Sequence, residues 1–177
     1  MSNPSIPSET RIGHVHLRVA DLERAINFYR DLMGFDLMMR MGDEAAFLSA
    51  GGYHHHIGLN TWDSLGGQPP PAGTTGLYHF AINYPTRRDL AVALKRVLDG
   101  GWSIDGASDH FTHEAIYMHD PDFNGMELAW DRLPAEWPRE NGRVIMGRKP
   151  LDFAGLLAEL GEPDHAGYVE MLTANYK

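Results

Sequence analysis

Ten histidines stand in this chain, and nine of them fall between His14 and His119. Three of the stretches around them alternate apolar and polar residues as strands do. In Arg11–Val19 (RIGHVHLRV), Val15, Leu17 and Val19 make an apolar face, which turns His14, His16 and Arg18 to the other side. In Leu77–Tyr84, Tyr78, Phe80, Ile82 and Tyr84 oppose His79, Ala81 and Asn83. In the last such stretch, Met126, Leu128 and Trp130 oppose Gly125, Glu127, Ala129 and Asp131. His14, His79 and Glu127 are thus expected on the non-core faces of three strands. Two imidazoles and one carboxylate form the facial set suited to non-haem Fe(II), with positions left open for substrate and dioxygen, and Mn(II), Zn(II) or Ni(II) take the same donors. Singly, each residue reads equally well as an exposed polar group on a half-solvated sheet. Three of them in register favour the metal site.

The run GGYHHHIGLNTW adds His54, His55 and His56. Ile57 and Leu59 set the core face of a strand expected over His55–Asn60. Alternation then turns His55 with that core face, toward helices or solvent, and His54 and His56 the other way. His56 is expected to act as an acid/base beside the metal, since an imidazole titrates near neutral pH; a fourth ligand is the competing role. His54 and His55 read as surface residues.

The elements that must position these groups repeat. The first strand is followed by a helix capped by Asp21, with Leu22, Ala25, Ile26, Tyr29, Leu32 and Met33 at helical spacing and Gly34 as its stop. Strands follow over Phe35–Met41 and Ala45–Ser49, around a Gly42-Asp43 hairpin turn. After a Gly/Pro-rich loop, Gly66 to Gly76, the order recurs: strand Leu77–Tyr84, helix Arg88–Leu98, then strands over Ser103–Ala107, Ala115–Met118 and Met126–Trp130. An internal repeat governs the fold reading. The expected fold is α+β, two βαβββ modules (11–65 and 77–131) forming a curved mixed sheet around a metal-binding cleft. A disordered lead-in is expected over 1–10. A C-terminal arm covers 132–177, with a short helix over Leu151–Gly161 capped by Asp152. Its apolar residues Leu151, Phe153, Leu156, Leu157 and Leu160 are expected to dock on the domain or on a second subunit, in a homodimer.

Composition narrows the function classes. The 177 residues carry a formal charge of −9 and hold no cysteine, which excludes a disulfide, a Cys-zinc cluster or a thiolate nucleophile. No clustered Lys and Arg offers a phosphate-binding surface, so nucleic acid is not an expected partner. No apolar run approaches the ~20 residues of a membrane helix, and a cytoplasmic location is expected.

GHVHLRVADLERAINFYRDLMGF, GLYHFAINYP and DPDFNGMELAW, in that order, resemble the vicinal oxygen chelate superfamily, which includes glyoxalase I, fosfomycin-resistance proteins and extradiol ring-cleaving dioxygenases. The resemblance covers Arg11 to Asp131. It implies metal ligands at His14, His79 and Glu127, as the strand faces do. Glyoxalase I carries a further acidic ligand on the fourth strand, where this chain has HHHIGLN. YHHHIGLNTW and GASDHFTHEAIYM look instead like one-domain catechol 2,3-dioxygenase-type proteins. That likeness implies His56 as acid/base, Tyr117 as the tyrosine near the metal-bound substrate oxygen, and His110 as a weaker candidate for substrate contact. The implied function is extradiol cleavage of a catechol-type aromatic with O2 at Fe(II), with Phe47, Phe111 and Trp62 as candidates to shape an aromatic pocket. A glyoxalase-like metal-dependent lyase or isomerase, and a non-catalytic binder of an aromatic ligand, are the alternatives. Phe123 stands where the family's DPDGNG turn has Gly, so a reshaped turn is expected there.

Overall fold

The structure, a computed structural model, describes residues 5–161 and 165–176. The first four residues of the expected lead-in, and residues 162–164 and 177 of the expected arm, lie outside the described residues. The chain forms two compact units, Met1–Gln68 and Pro69–Lys177.

In the first unit, β1 (Val15–Arg18) leads to α1 (Leu22–Asn27), then β2 (Asp36–Met41), β3 (Ala45–Ser49) and β4 (Ile57–Asn60). The sheet order is β1-β4-β3-β2, with β1 and β4 parallel and the other pairs antiparallel. Asp21 starts α1 by accepting the Arg24 amide at 3.0 Å, as expected of an N-cap. The helix does not run on as a plain α-helix. Phe28–Leu32 is a π-helical turn, in which the Met33 amide donates to the Phe28 carbonyl five residues back. The wider turn lets adjacent Phe28 and Tyr29 both face inward, where 3.6-residue spacing singled out Tyr29 alone.

The second unit repeats the pattern with β5 (Phe80–Asn83), α2 (Arg87–Asp99), β6 (Gly106–Asp109), β7 (His113–His119) and β8 (Gly125–Asp131). Its sheet order, β5-β8-β7-β6, is the same topology, again with only the first pair parallel. Each unit is therefore a βαβββ module, and the fold is α+β as expected. Thr86 caps α2 by accepting the Asp89 amide, and Leu90, Ala91, Leu94 and Val97 line its buried face. Tyr78 departs from expectation: it lies before β5 and is 89% exposed rather than core. The second strand of this module begins at Gly106, three residues later than expected. Phe123 stands in the DPDFNG turn in the left-handed region that glycine adopts most freely. It takes φ 62°, while the Asp120 carboxylate accepts the amides of Asp122 and Asn124.

Beyond Asp131 the chain forms a small hairpin, β9 (Arg139–Glu140) and β10 (Arg143–Val144), then α3 (Phe153–Ala158) and α4 (Ala166–Asn175). The last helix had no sequence expectation. Asp152 caps α3 through the Gly155 amide, and α3 packs against α2 and α4. Leu151, Phe153, Leu156 and Leu157 are buried, each contributing about 1.5–3 kcal/mol. The apolar face that prompted the expectation of a homodimer is thus covered within its own unit. No helix among the described residues is long and apolar enough to cross a membrane.

An ionic network ties this tail to the module. Arg87 Nε donates to both Glu114 oxygens (3.1 and 2.9 Å), and its Nη1 donates to the Gly155 carbonyl and to Glu159. Arg132 grips Asp109 with both Nη atoms (2.9 and 2.8 Å) and reaches Glu114 at 3.2 Å. Lys149 adds a third cation at 3.2 Å from Asp109. Burial alone would raise the Asp109 pKa, but Arg132, the Phe111 amide and Lys149 outweigh it and hold the carboxyl below its usual range. A carboxylate depressed in the folded state stabilises above its unfolded pKa and loses that contribution as pH falls toward its folded value. Asp109→Asn should therefore lower the urea midpoint near neutral pH, and the gap from wild type should narrow below about pH 4. Urea melts at pH 7 and pH 3.5 check this; a gap of constant size would contradict it.

Candidate active site

In the second unit, residues directly opposite across paired strands point to the same face. Tyr117 and Ala81 are both partners of Glu127, so all three share the face turned away from Met126, Leu128 and the helices. Glu127 is only 7% exposed. Its two oxygens are taken separately: Oε2 lies 2.9 Å from His79 Nε2 and Oε1 lies 3.2 Å from His113 Nε2. Two ligands about 2.1 Å from one ion and at right angles to each other stand about 3.0 Å apart. The His79–Glu127 spacing matches that separation.

Gly125 makes this approach possible. A Cβ there would stand 2.0 Å from the Tyr78 carbonyl oxygen and 3.2 Å from His79 Cβ, so only hydrogen lets the His79 segment lie against the start of β8. Beside the pair, the Tyr117 hydroxyl is 2.7 Å from His110 Nε2, and His110 Nδ1 is 2.9 Å from the Gly147 carbonyl. A carbonyl only accepts, so His110 carries its proton on Nδ1 and its neutral Nε2 accepts from Tyr117. Burial first, then the charge of Glu127, pushes the Tyr117 phenol up to about 12, which keeps it a donor at neutral pH. The structure therefore brings together four of the residues singled out in the sequence, His79, Glu127, Tyr117 and His110. It adds His113, which the sequence reading missed. That residue has the parity of Tyr117 on β7, and running the alternation of this strand back two residues would have found it.

In the first unit, His14 and His16 are exposed on the face opposite Leu17 and Val19, as expected. The His16 ring lies over Gly58, where a Cβ would approach it to 2.9 Å, and packs with Phe47 and Trp62 at 5.8 and 5.6 Å between centroids. The triplet departs from the expected alternation at His55. The strand proper begins at Ile57, but the His56 amide donates to the Leu48 carbonyl and its carbonyl accepts from Val15, so His56 keeps the side opposite Ile57, while His54 and His55 are loop. The ring beside His14 is that of His55, at 4.3 Å, and it also packs against Phe47 at 5.0 Å. His56 is instead engaged through Nδ1, with the Ser49 hydroxyl at 3.1 Å and the Ala50 amide at 3.3 Å. Accepting that amide leaves its proton on Nε2. His54 and His55 share a hydrogen bond of 2.8 Å between their Nδ1 atoms. Desolvation, then His14 and the other three neighbouring histidines, lowers the His55 pKa, which favours the neutral ring. Of the three aromatic candidates for a pocket, Phe47 and Trp62 thus flank the histidines of this unit. Phe111 lies in the other, under Lys149. Among the described residues, no group of three or more His, Asp or Glu side chains is arranged to hold a metal ion.

Two βαβββ modules, with a histidine leading the first strand of each and a glutamate on the last strand of the second, define a class of α+β proteins built from a repeated module. The chain belongs to the Glyoxalase/Bleomycin resistance protein/Dioxygenase superfamily, whose family model matches residues 11–128. It is 38% identical over 159 residues to a catechol-2,3-dioxygenase of Bacillus subtilis (strain 168), a match covering 89% of this chain and 55% of that protein. The chain thus spans about half the length of that relative. A biphenyl-2,3-diol 1,2-dioxygenase 3 of Rhodococcus globerulus is 30% identical over 142 residues, 78% of this chain and 72% of its own. A solved structure of a glyoxalase/dioxygenase from Nostoc punctiforme shares the fold with a TM-score of 0.60 at 18% identity, covering 75% of this chain and 100% of its own.

Gly125→Ala should destabilise the protein by about 1–3 kcal/mol, because the clashing atom is backbone and cannot swing aside. Gly106→Ala in the same sheet, where an added Cβ meets nothing within 4 Å, should stay within about 0.5 kcal/mol of wild type. Denaturant melts of both variants check this, and equal losses would count against the close approach of His79.

Proposed function

We propose that this protein is an extradiol dioxygenase that opens a catechol-type ring with dioxygen at a divalent metal, Fe(II) first among candidates. The observation that carries the reading is the His79–Glu127 pair at ligand spacing, with a phenol and an imidazole hydrogen-bonded beside it on one face of the second sheet. The two dioxygenase relatives support it. The proposed ligand set is His79, Glu127 and His14, the last from the equivalent position of the repeat. Nitrogen and carboxylate donors without thiolate fit Fe(II), Mn(II), Zn(II) or Ni(II). When bound, Fe(II) supplies Lewis acidity toward the catechol oxygens and the redox capacity that a reaction with dioxygen requires.

The chain's own groups account for the proton traffic. His55, neutral and beside His14, takes a proton from a catechol hydroxyl and returns it as the ring opens. His56 was the expected acid/base. We assign the role to His55, because its ring lies 4.3 Å from that of His14 and also packs on Phe47. Tyr117, whose one hydroxyl hydrogen goes to His110, accepts a hydrogen bond from a catechol hydroxyl, and His110, fixed by Gly147, orients that phenol. Phe47 and Trp62 offer apolar surface to the ring.

Protein reconstituted anaerobically with Fe(II) should consume oxygen with at least one member of a catechol panel and form a ring-opened product absorbing in the visible. Metal uptake without oxygen consumption on any catechol would favour a metal-dependent lyase. His79→Ala and Glu127→Ala should each lose most bound metal. His55→Ala should keep its metal and lose about 10²–10⁴ in turnover, with a smaller loss for His56→Ala. The reverse ranking would return the acid/base role to His56.

A further inference from the structure

We infer that His113 is a positioning residue for Glu127: it holds one carboxylate oxygen by a hydrogen bond, so that the other is presented to the metal beside His79. The inference rests on the reading of Glu127 as a ligand and adds to it a residue that neither the strand alternation nor the family motifs singled out.

The geometry leaves a neutral His113 one arrangement. Its Nε2 lies 3.2 Å from Glu127 Oε1, a contact that is attractive only if Nε2 carries the proton. Its Nδ1 lies 2.9 Å from the Thr112 hydroxyl, and with the proton on Nε2 that hydroxyl must donate to Nδ1. Thr112 is buried, so its hydroxyl has few other uses. A directed chain results, running Thr112 hydroxyl to His113 to Glu127 Oε1, while Oε2 faces His79. The ring is kept in plane by stacking on His110 at 4.8 Å and 26°. His110 is in turn fixed by the Gly147 carbonyl, so one stacked pair of imidazoles braces both the carboxylate and the Tyr117 phenol. His113 is not itself placed as a ligand. Its nitrogen meets the oxygen that His79 does not, and the three side chains do not group as a metal cage. A carboxylate left free to rotate would present either oxygen, or both, to an ion; the hydrogen bond removes that freedom. Partners of this kind, one step out from a ligand, are worth about 10–100-fold in metal affinity.

Co(II) titration of the metal-free, full-length protein tests this, with the metal-free melting temperature followed in parallel. His113→Phe keeps the stack on His110 and removes the donor. His113→Gln places an amide N–H near the position of Nε2. The Phe variant should bind Co(II) about 10–100-fold more weakly, and the Gln variant within about threefold of wild type. Wild-type affinity in the Phe variant would overturn the inference, as would equal weakening in both; a residue that only fills space would lower both melting temperatures and leave Co(II) affinity alone. Should the Phe variant not fold, Thr112→Val carries the test. Removing the donor to Nδ1 should weaken Co(II) several-fold, and wild-type affinity there would overturn the inference. Glu127→Ala separates the two levels. If it binds Co(II) as tightly as wild type, the reading of Glu127 as a ligand fails; if it loses Co(II) while His113→Phe does not, only the role of His113 fails.

Discussion

A carboxylate that is 7% exposed on the open face of a sheet is the constraint around which the second unit is organised. Removing an ionised group from water is costly unless donors or a cation meet it. Glu127 has two imidazole nitrogens, one at each oxygen, and among the described residues no Lys or Arg at ion-pair distance. Close strand approach at Gly125 keeps His79 there, and Thr112 with His110 keeps His113 there. The opposite face of the same sheet carries a different solution to the same problem. Asp109 and Glu114 are as deeply buried as Glu127, but guanidinium groups meet them from Arg87 and Arg132. The cation-rich face is saturated and structural. The histidine-rich face meets its carboxylate with imidazole nitrogens, donors of the kind proposed to take a metal ion.

The tail beyond Asp131 serves both faces. Lys149 and Arg132 complete the ionic network, and the Gly155 carbonyl accepts from Arg87. Two residues before Lys149, the Gly147 carbonyl fixes the tautomer of His110 and through it the direction of the Tyr117 hydroxyl. Gly147 lies so near the Phe111 ring that a Cβ would reach 2.0 Å from it, so this contact depends on glycine. The segment expected as a C-terminal arm is thus a part of the second unit that orients a candidate catalytic pair.

Much of this was legible in the sequence where the physics is local. Asp21 and Asp152 are N-caps, the β2–β3 turn falls at Gly42-Asp43, and the two modules share one topology. Alternation put His79 and Glu127 on one face of the second sheet because both lie in or beside strands. The same rule failed for His55, a loop residue before the ladder, which takes its side from packing on His14 and Phe47 instead. It missed His113 because the strand was started at Ala115, two residues late. The π-helical turn at Phe28 and the helix after residue 165 had no periodic signal strong enough to announce them.

The central claim is that Glu127 divides its oxygens, one toward a metal held with His79 and one toward a protonated nitrogen of His113. Nitrogen-15 spectra of the histidine rings, recorded as Zn(II) is added to the metal-free protein, test it most directly. The account predicts that His79 Nε2 moves to the position of a metal-bound nitrogen while His113 Nε2 keeps its proton. Loss of the His113 proton with His79 unmoved, or no change in either ring, would contradict it.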